Sequence, residues 1–219
     1  MATAVLTKGS GREHGESPAP LSYEEFLHVY DGEFAEWEDG VIIKSMSPVS
    51  LSHTKIGLFL TRLLGDFCEN NGRGQVVYAP YQMRLRQFNR GREPDVAVVL
   101  TANLSRITPG YLDGPADLVI EIVSPESEER DRKTKFAEYE FCGVTEYWIL
   151  DPVTQTAEFY LRNPVTLKYV AQSPDANGNY ESAVLPGFWL TVAWLWQTPL
   201  PTLRSVVAAW VAGKPQKDG

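Results

Sequence analysis

Two apolar runs, PDVAVVL (residues 94–100) and DLVIEIV (residues 117–123), constrain the fold more than any other part of the chain. Both are short, rich in valine and isoleucine, and bounded by glycine and proline, which is the signature of strands. Each carries a carboxylate that an ordinary core strand would exclude: Asp95 at the head of the first and Glu121 in the middle of the second. A buried acid is costly unless it is paired or holds a cation. As neighbours, the two strands would set the acids about 4 Å apart, repelling by roughly 4 kcal/mol at an effective dielectric near 20. A divalent metal or a lysine removes that penalty, and Lys133 and Lys135 follow within one short helix.

The rest of the pattern supplies a frame for this pair. Residues 21–30 read as a helix with Ser22 as N-cap and Leu21, Phe26, Leu27 and Tyr30 on one side. The corner Glu38-Asp39-Gly40 between two alternating runs predicts a hairpin. Glu36 just before it is either a site acid or a solvated edge-strand acid. Ser50 and Ser52 precede a second helix in which Ile56, Leu60, Leu63, Leu64 and Phe67 recur, and Asn71-Gly72 ends it. His53, in its first turn, is either a hydrogen-bonding surface residue or a ligand.

Residues 74–86 and 92–100 read as two strands joined by an arginine-rich loop. The second does not alternate cleanly, so it is expected to be central and covered on both faces. In DLVIEIV, alternation places Asp117, Val119, Glu121 and Val123 on one face and Leu118, Ile120 and Ile122 on the other. Ser124 as N-cap and Pro125 at the first position then predict a helix running to Cys142 and stopping at Gly143. Asp131, Lys135 and Tyr139, spaced i, i+4, i+8, share one face of it. EYWILDP (146–152) pairs with TAEFYLR (156–162), and VTLKYVAQ (165–172) with YESAVLPG (180–187) across a turn at 175–178. Residues 202–213 form a short amphipathic helix. The fold class is α/β: a central mixed β-sheet, bearing the acids, flanked by helices. Residues 1–20 are expected to be a disordered lead-in, 21–212 a single domain, and 213–219 a polar tail.

Composition narrows the function. Hydrophobic residues make up 43% and charged residues 22%, which is ordinary globular usage. A net charge of −8 gives no bulk help in approaching nucleic acid, so such a partner needs a local basic groove. Arg84, Arg86, Arg90 and Arg92 either supply that groove or decorate a solvated loop. Cys68 and Cys142 match no CxxC pattern and read as reduced thiols of a cytoplasmic protein. No apolar signal-peptide core is present near the start, and the run FWLTVAWLW from Phe188 is too short to span a bilayer. A soluble protein with no membrane partner is expected. Trp189, Trp194, Trp196 and Trp210 are core residues or part of a homodimer surface.

Two strand acids with a nearby lysine have the layout of a metal-dependent phosphodiesterase, with Mg²⁺ suited to the oxygen ligands. The order of the pieces is similar to that of the Uma2 family of endonucleases, a branch of the restriction-endonuclease-like PD-(D/E)XK superfamily. The pieces are Glu36 with Asp39-Gly40, Met46-Ser47-Pro48, Ser52-His53, Glu93-Pro94-Asp95, residues 117–125, Asp131 with Lys135 and Tyr139, residues 143–152, and Leu185-Pro186-Gly187. The resemblance implies a restriction-endonuclease-like fold and a Mg²⁺-dependent nuclease, Mn²⁺ also serving, that acts on DNA more than RNA. It implies Asp95 and Glu121 as metal ligands, the Ile122 carbonyl as a third contact, and Lys135 as the residue that positions or activates water. His53 and Glu36 are accessory residues. The chain departs from the superfamily pattern at Val123, where the lysine would stand; Lys135 on the following helix takes its place. The alternatives are a nuclease fold kept as a binding or dimerisation module, and acids that only form structural salt bridges.

Overall fold

The computed structural model describes residues 20–30, 34–44 and 50–213. The expected lead-in and tail, apart from Pro20 and Gly213, and the Met46-Ser47-Pro48 piece lie outside the described residues. In chain order the elements are α1 (Tyr23–Val29), β1 (Ala35–Glu38), β2 (Val41–Lys44), α2 (Leu51–Asn71), β3 (Gly74–Tyr78) and β4 (Gln82–Leu85). There follow β5 (Arg90–Arg92), β6 (Val96–Leu100), β7 (Tyr111–Asp113), β8 (Leu118–Ile122), α3 (Phe136–Cys142) and β9 (Glu146–Asp151). The chain continues with β10 (Thr156–Arg162), β11 (Tyr169–Gln172), β12 (Asn179–Glu181), β13 (Trp189–Thr191) and α4 (Leu203–Ala212).

The main sheet has the order β11-β10-β9-β8-β6-β3. β8 lies between β6, antiparallel to it, and β9, parallel to it. The alternation read from DLVIEIV holds. Leu118, Ile120 and Ile122 pack with Val96 and Val98 under α2 residues Ile56, Leu60, Leu63 and Leu64. Val119 and Val123 join Ala97 and Val99 on the other face, against Tyr139 and Cys142 of α3. β6 is thus covered on both faces, as its sequence requires. Ser50 caps α2, its side chain accepting from the His53 N–H, and Gly72 ends it in the left-handed conformation. Ser52 lies inside that helix.

A second sheet, β2-β1-β5-β4-β7, carries its own small core of Tyr23, Phe26, Tyr30, Ala35, Trp37 and Ile42 beneath α1. Ser22 and Glu25 form a reciprocal capping box on α1. Asp39 and Gly40 both take positive φ at the β1–β2 corner, the turn an Asp-Gly pair favours. The two runs expected as single strands are each divided between the sheets. Residues 74–86 split into β3 and β4 around Ala79-Pro80, and the run 92–100 breaks at Glu93-Pro94-Asp95, its Arg92 ending β5 and its Val96–Leu100 forming β6. Proline lacks the N–H that would continue a ladder, so each run breaks there and crosses to the other sheet.

Two further expectations are corrected. Residues 125–127 form a turn, not the first turn of a helix; the helix begins at Glu128, and residues Arg130–Lys135 are a π-helical segment leading into α3. Ser124 does not cap it through its side chain; instead the Ser127 hydroxyl accepts from the Ser124 N–H at 3.0 Å. The second expected hairpin also pairs differently: β11 joins β10, while β12 pairs with β13. The 175–178 turn is real, with Gly178 N–H donating to Asp175 O at 2.9 Å. The chain then reverses again at Leu185-Pro186-Gly187, so β13 returns onto β12 before β11 can. Trp210 of α4 donates its indole N–H to Trp189 O at 2.8 Å and packs against Phe67 and Phe188. No helix among the described residues is long and apolar enough to cross a membrane.

Candidate functional site

The bend that carries the chain from β5 to β6 sets Asp95 at the rim of the main sheet. Val96 stands opposite Ile120, so one further step of the same register faces Asp95 toward Glu121. One oxygen of Asp95 accepts from the Ile122 N–H at 2.7 Å and lies 3.3 Å from His53 Nε2. His53 comes from the first turn of α2, so the helix cap and the strand bend meet at this carboxylate. Burial opposes the charge on His53, but the hydrogen bond and the charge of Asp95 outweigh it and hold the imidazole above its ordinary range.

Glu121 lies deeper, 3% exposed, on the face turned toward α3. Its Oε1 accepts from Lys135 Nζ at 2.9 Å and from the Tyr139 hydroxyl at 2.7 Å. Lys135, 2% exposed, also touches Glu36 at 3.0 Å and Asp131 at 3.4 Å. Asp131, Lys135 and Tyr139 therefore do share one side despite the π-helical segment, a feature frequent at functional sites. Lys133 points away and pairs with Glu129 at the surface.

The electrostatics divide the acids. Burial pushes Glu121 up to about 8; Lys135 pulls it down, while Asp131, Asp95 and Glu36 push it further up. Burial also opposes the charge on Glu36, yet Lys135, Arg92 and Arg130 hold it down at about 2. Lys135 is disfavoured by burial, but Glu121, Glu36 and Asp131 hold it well above the ordinary lysine range. It is an ammonium at any working pH. Glu36 is thus no solvated edge acid: β1 lies between β2 and β5, and Glu36 turns inward from it.

The arginines near the strand acids do not form a basic groove. Arg84 is buried and stacks over Tyr23 and Trp37, and Arg92 is fully buried among Glu36, Glu38 and Glu138. Arg90 pairs with Asp39 and Glu138, and Arg86 with Asp113. Sequence reasoning missed Arg92 and Glu138 as parts of this cluster. Glu138 was accessible in principle, since it follows Lys135 by three positions on the same helix.

The donor set suits a hard divalent cation. Among the described residues no hydrogen bond reaches Glu121 Oε2 or Asp95 Oδ1, and the acids around Lys135 outnumber the buried cations. Asp131 Oδ1 is buried without a hydrogen-bond partner. No group of three or more His, Cys, Asp or Glu among the described residues is arranged to hold a metal by itself. Two carboxylates completed by water are what magnesium commonly takes, so the pair fits that ion and not an all-protein cage.

Residues 23–193 match the model of a protein family described as "Uma2: Putative restriction endonuclease". Among solved structures, the chain is similar to a "putative nuclease belonging to DUF820" from Anabaena variabilis. The TM-score is 0.64 at 19% identity, over 81% of this chain and 98% of that one, which establishes a common restriction-endonuclease-like fold. No curated protein matches the chain. With the family model covering most of the chain and this fold beneath it, the protein belongs to the Uma2 family of restriction-endonuclease-like proteins.

Proposed function

We propose that this protein is a Mg²⁺-dependent endonuclease that hydrolyses phosphodiester bonds of nucleic acid, DNA in preference to RNA. The observation that carries the reading is the convergence of Asp95 and Glu121 on adjacent strands, with Lys135 fixed on Glu121. Asp95 and Glu121, with the Ile122 carbonyl, are the residues that would hold Mg²⁺ or Mn²⁺. When bound, that ion supplies Lewis-acid stabilisation of phosphate charge and an activated water.

The protein's own residues set the stage. The Ile122 N–H and His53 orient Asp95. Tyr139 and Lys135 orient Glu121 through one oxygen and leave the other to face a cation. Lys135, buried among the carboxylates that raise its pKa, neutralises and positions Glu121. His53, whose pKa Asp95 raises, is the group beside Asp95 that carries positive charge toward a phosphate oxygen when protonated.

The burial of Lys135 also favours a second reading, a nuclease fold retained as a binding or dimerisation module. Nicking of supercoiled plasmid separates the two. Cleavage that requires Mg²⁺ or Mn²⁺, disappears in Asp95→Asn and Glu121→Gln, and is slower on RNA supports the enzyme. Metal binding without cleavage of any DNA or RNA supports the module.

A further inference from the structure

Arg92 is a charge that the chemistry above leaves unused. It ends β5, three residues before Asp95, and is 0% exposed. Its Nε and Nη2 grip the two oxygens of Glu138, both at 2.7 Å. Its Nη1 donates to Glu36 Oε2 at 3.0 Å and to Glu38 Oε1 at 2.6 Å. Glu36 in turn gives its other oxygen to Lys135 at 3.0 Å, and Glu138 sits on α3 one turn beyond Lys135. One guanidinium therefore holds both the helix that carries Lys135 and the carboxylate that Lys135 touches.

We propose that Arg92 is a positioning residue: by clamping Glu36 and Glu138 together it fixes the Lys135 ammonium on Glu121. The inference rests on Glu121 being part of the metal site, and gives that site its link to the second sheet. Stability alone is a poor reason for the cluster, because well-packed apolar groups often do as well as a buried ion network. Geometry is a better one. A planar fork can take a carboxylate by two parallel bonds and still present a third N–H in a fixed direction, which an ammonium cannot. Arg130 is no substitute, being partly exposed and 3.9 Å from Glu36. Arg92 also lies within the bend that delivers Asp95, so the clamp sets the Lys135 helix relative to both acids.

The test is Arg92→Lys, which keeps the charge and loses the fork. The first readout is solvent exchange of the Lys135 ammonium protons by nitrogen-15 NMR, on protein without metal, with Lys135→Met identifying the signal. Exchange is expected to quicken by about tenfold or more. The second is Mn²⁺ affinity by calorimetry, expected to weaken about tenfold in the wild-type background and less than about twofold in Lys135→Met, as for residues that orient a ligand from behind. A folded Arg92→Lys with unchanged Lys135 exchange overturns the proposal, as does an equal loss of Mn²⁺ affinity in both backgrounds. Should Arg92→Lys fail to fold, Glu138→Gln, which frees one arm of the fork, is read the same way. If the wild type binds no Mn²⁺, the metal-site reading falls, while the exchange measurement still decides whether Arg92 positions Lys135.

Discussion

Replacing Lys135 by methionine removes the single ammonium from among three carboxylates at 2.9, 3.0 and 3.4 Å while keeping the volume of the side chain. Glu36 retains Arg92, and Glu121 retains the Tyr139 hydroxyl, but Asp131 Oδ1, buried with no hydrogen-bond partner, loses the ammonium 3.4 Å away. Removing one partner from a buried ion cluster costs about 3–5 kcal/mol. The low end applies here, because burial holds Glu121 up to about 8 even beside the lysine, so little of its charge is lost to the substitution at neutral pH. A loss of ~3 kcal/mol in a chain of this size lowers Tm by roughly 6–12 °C. Urea denaturation followed by circular dichroism at pH 7 measures it. Repeated at pH 9, above the value of Glu121, the double variant Glu121→Gln/Lys135→Met is expected to recover at least about 1 kcal/mol relative to additivity, since the charge that misses the ammonium is absent. A loss within about 0.5 kcal/mol of zero for Lys135→Met, the range of an ordinary surface substitution, would refute the buried ammonium.

Further outcomes follow from the same electrostatics. His53 is held above its ordinary range by Asp95, so its contribution is present below pH 6.5 and is lost as the pH rises through its folded value; His53→Ala should lower stability at pH 6 and much less at pH 9. Glu93 is pushed up to about 8, chiefly by burial. The folded state therefore binds its proton more tightly than the unfolded chain, and stability falls as pH rises from 4.5 toward 8. Glu93→Gln should raise Tm at pH 8 more than at pH 5, and equal shifts at both would contradict the assignment. Glu146, fully buried, accepts from Trp148, Tyr180, Ser182 and the Val184 N–H. Glu146→Gln turns one of its two acceptors into a donor and should cost about 3 kcal/mol in denaturant titrations, while leaving Mn²⁺ affinity unchanged.

Much of this was legible before any coordinates. Asp95 and Glu121 stood out because acids inside valine-rich strands need a reason, and the i, i+4, i+8 series brought Lys135 and Tyr139 to the same side. What the sequence hid were the long-range partners. A period-2 pattern tells which face a residue takes but not which sheet receives the strand. The division at Ala79-Pro80 and at Glu93-Pro94 therefore went unread, and with it the burial of Arg84 and Arg92. Arg92 looks basic until its carboxylates, which lie 46 to 56 positions away in sequence, are seen beside it. Glu146 carried a readable signal, since it is in phase with Trp148 and Leu150, both turned to the core. The start of the helical stretch after β8 was misread because Ser124-Pro125 suits a helix cap and a tight turn equally well.

The central claim is that Asp95 and Glu121 jointly bind a divalent cation. Calorimetric titration of Mn²⁺ into the wild type, Asp95→Ala and Glu121→Ala tests it most directly. The account predicts one site in the wild type and its loss in each single variant, with all three proteins folded by circular dichroism. Mn²⁺ binding that survives both substitutions, or none in the wild type, would contradict it and leave Asp95 as a partner of His53 and the Ile122 N–H, and Glu121 of Lys135 and Tyr139.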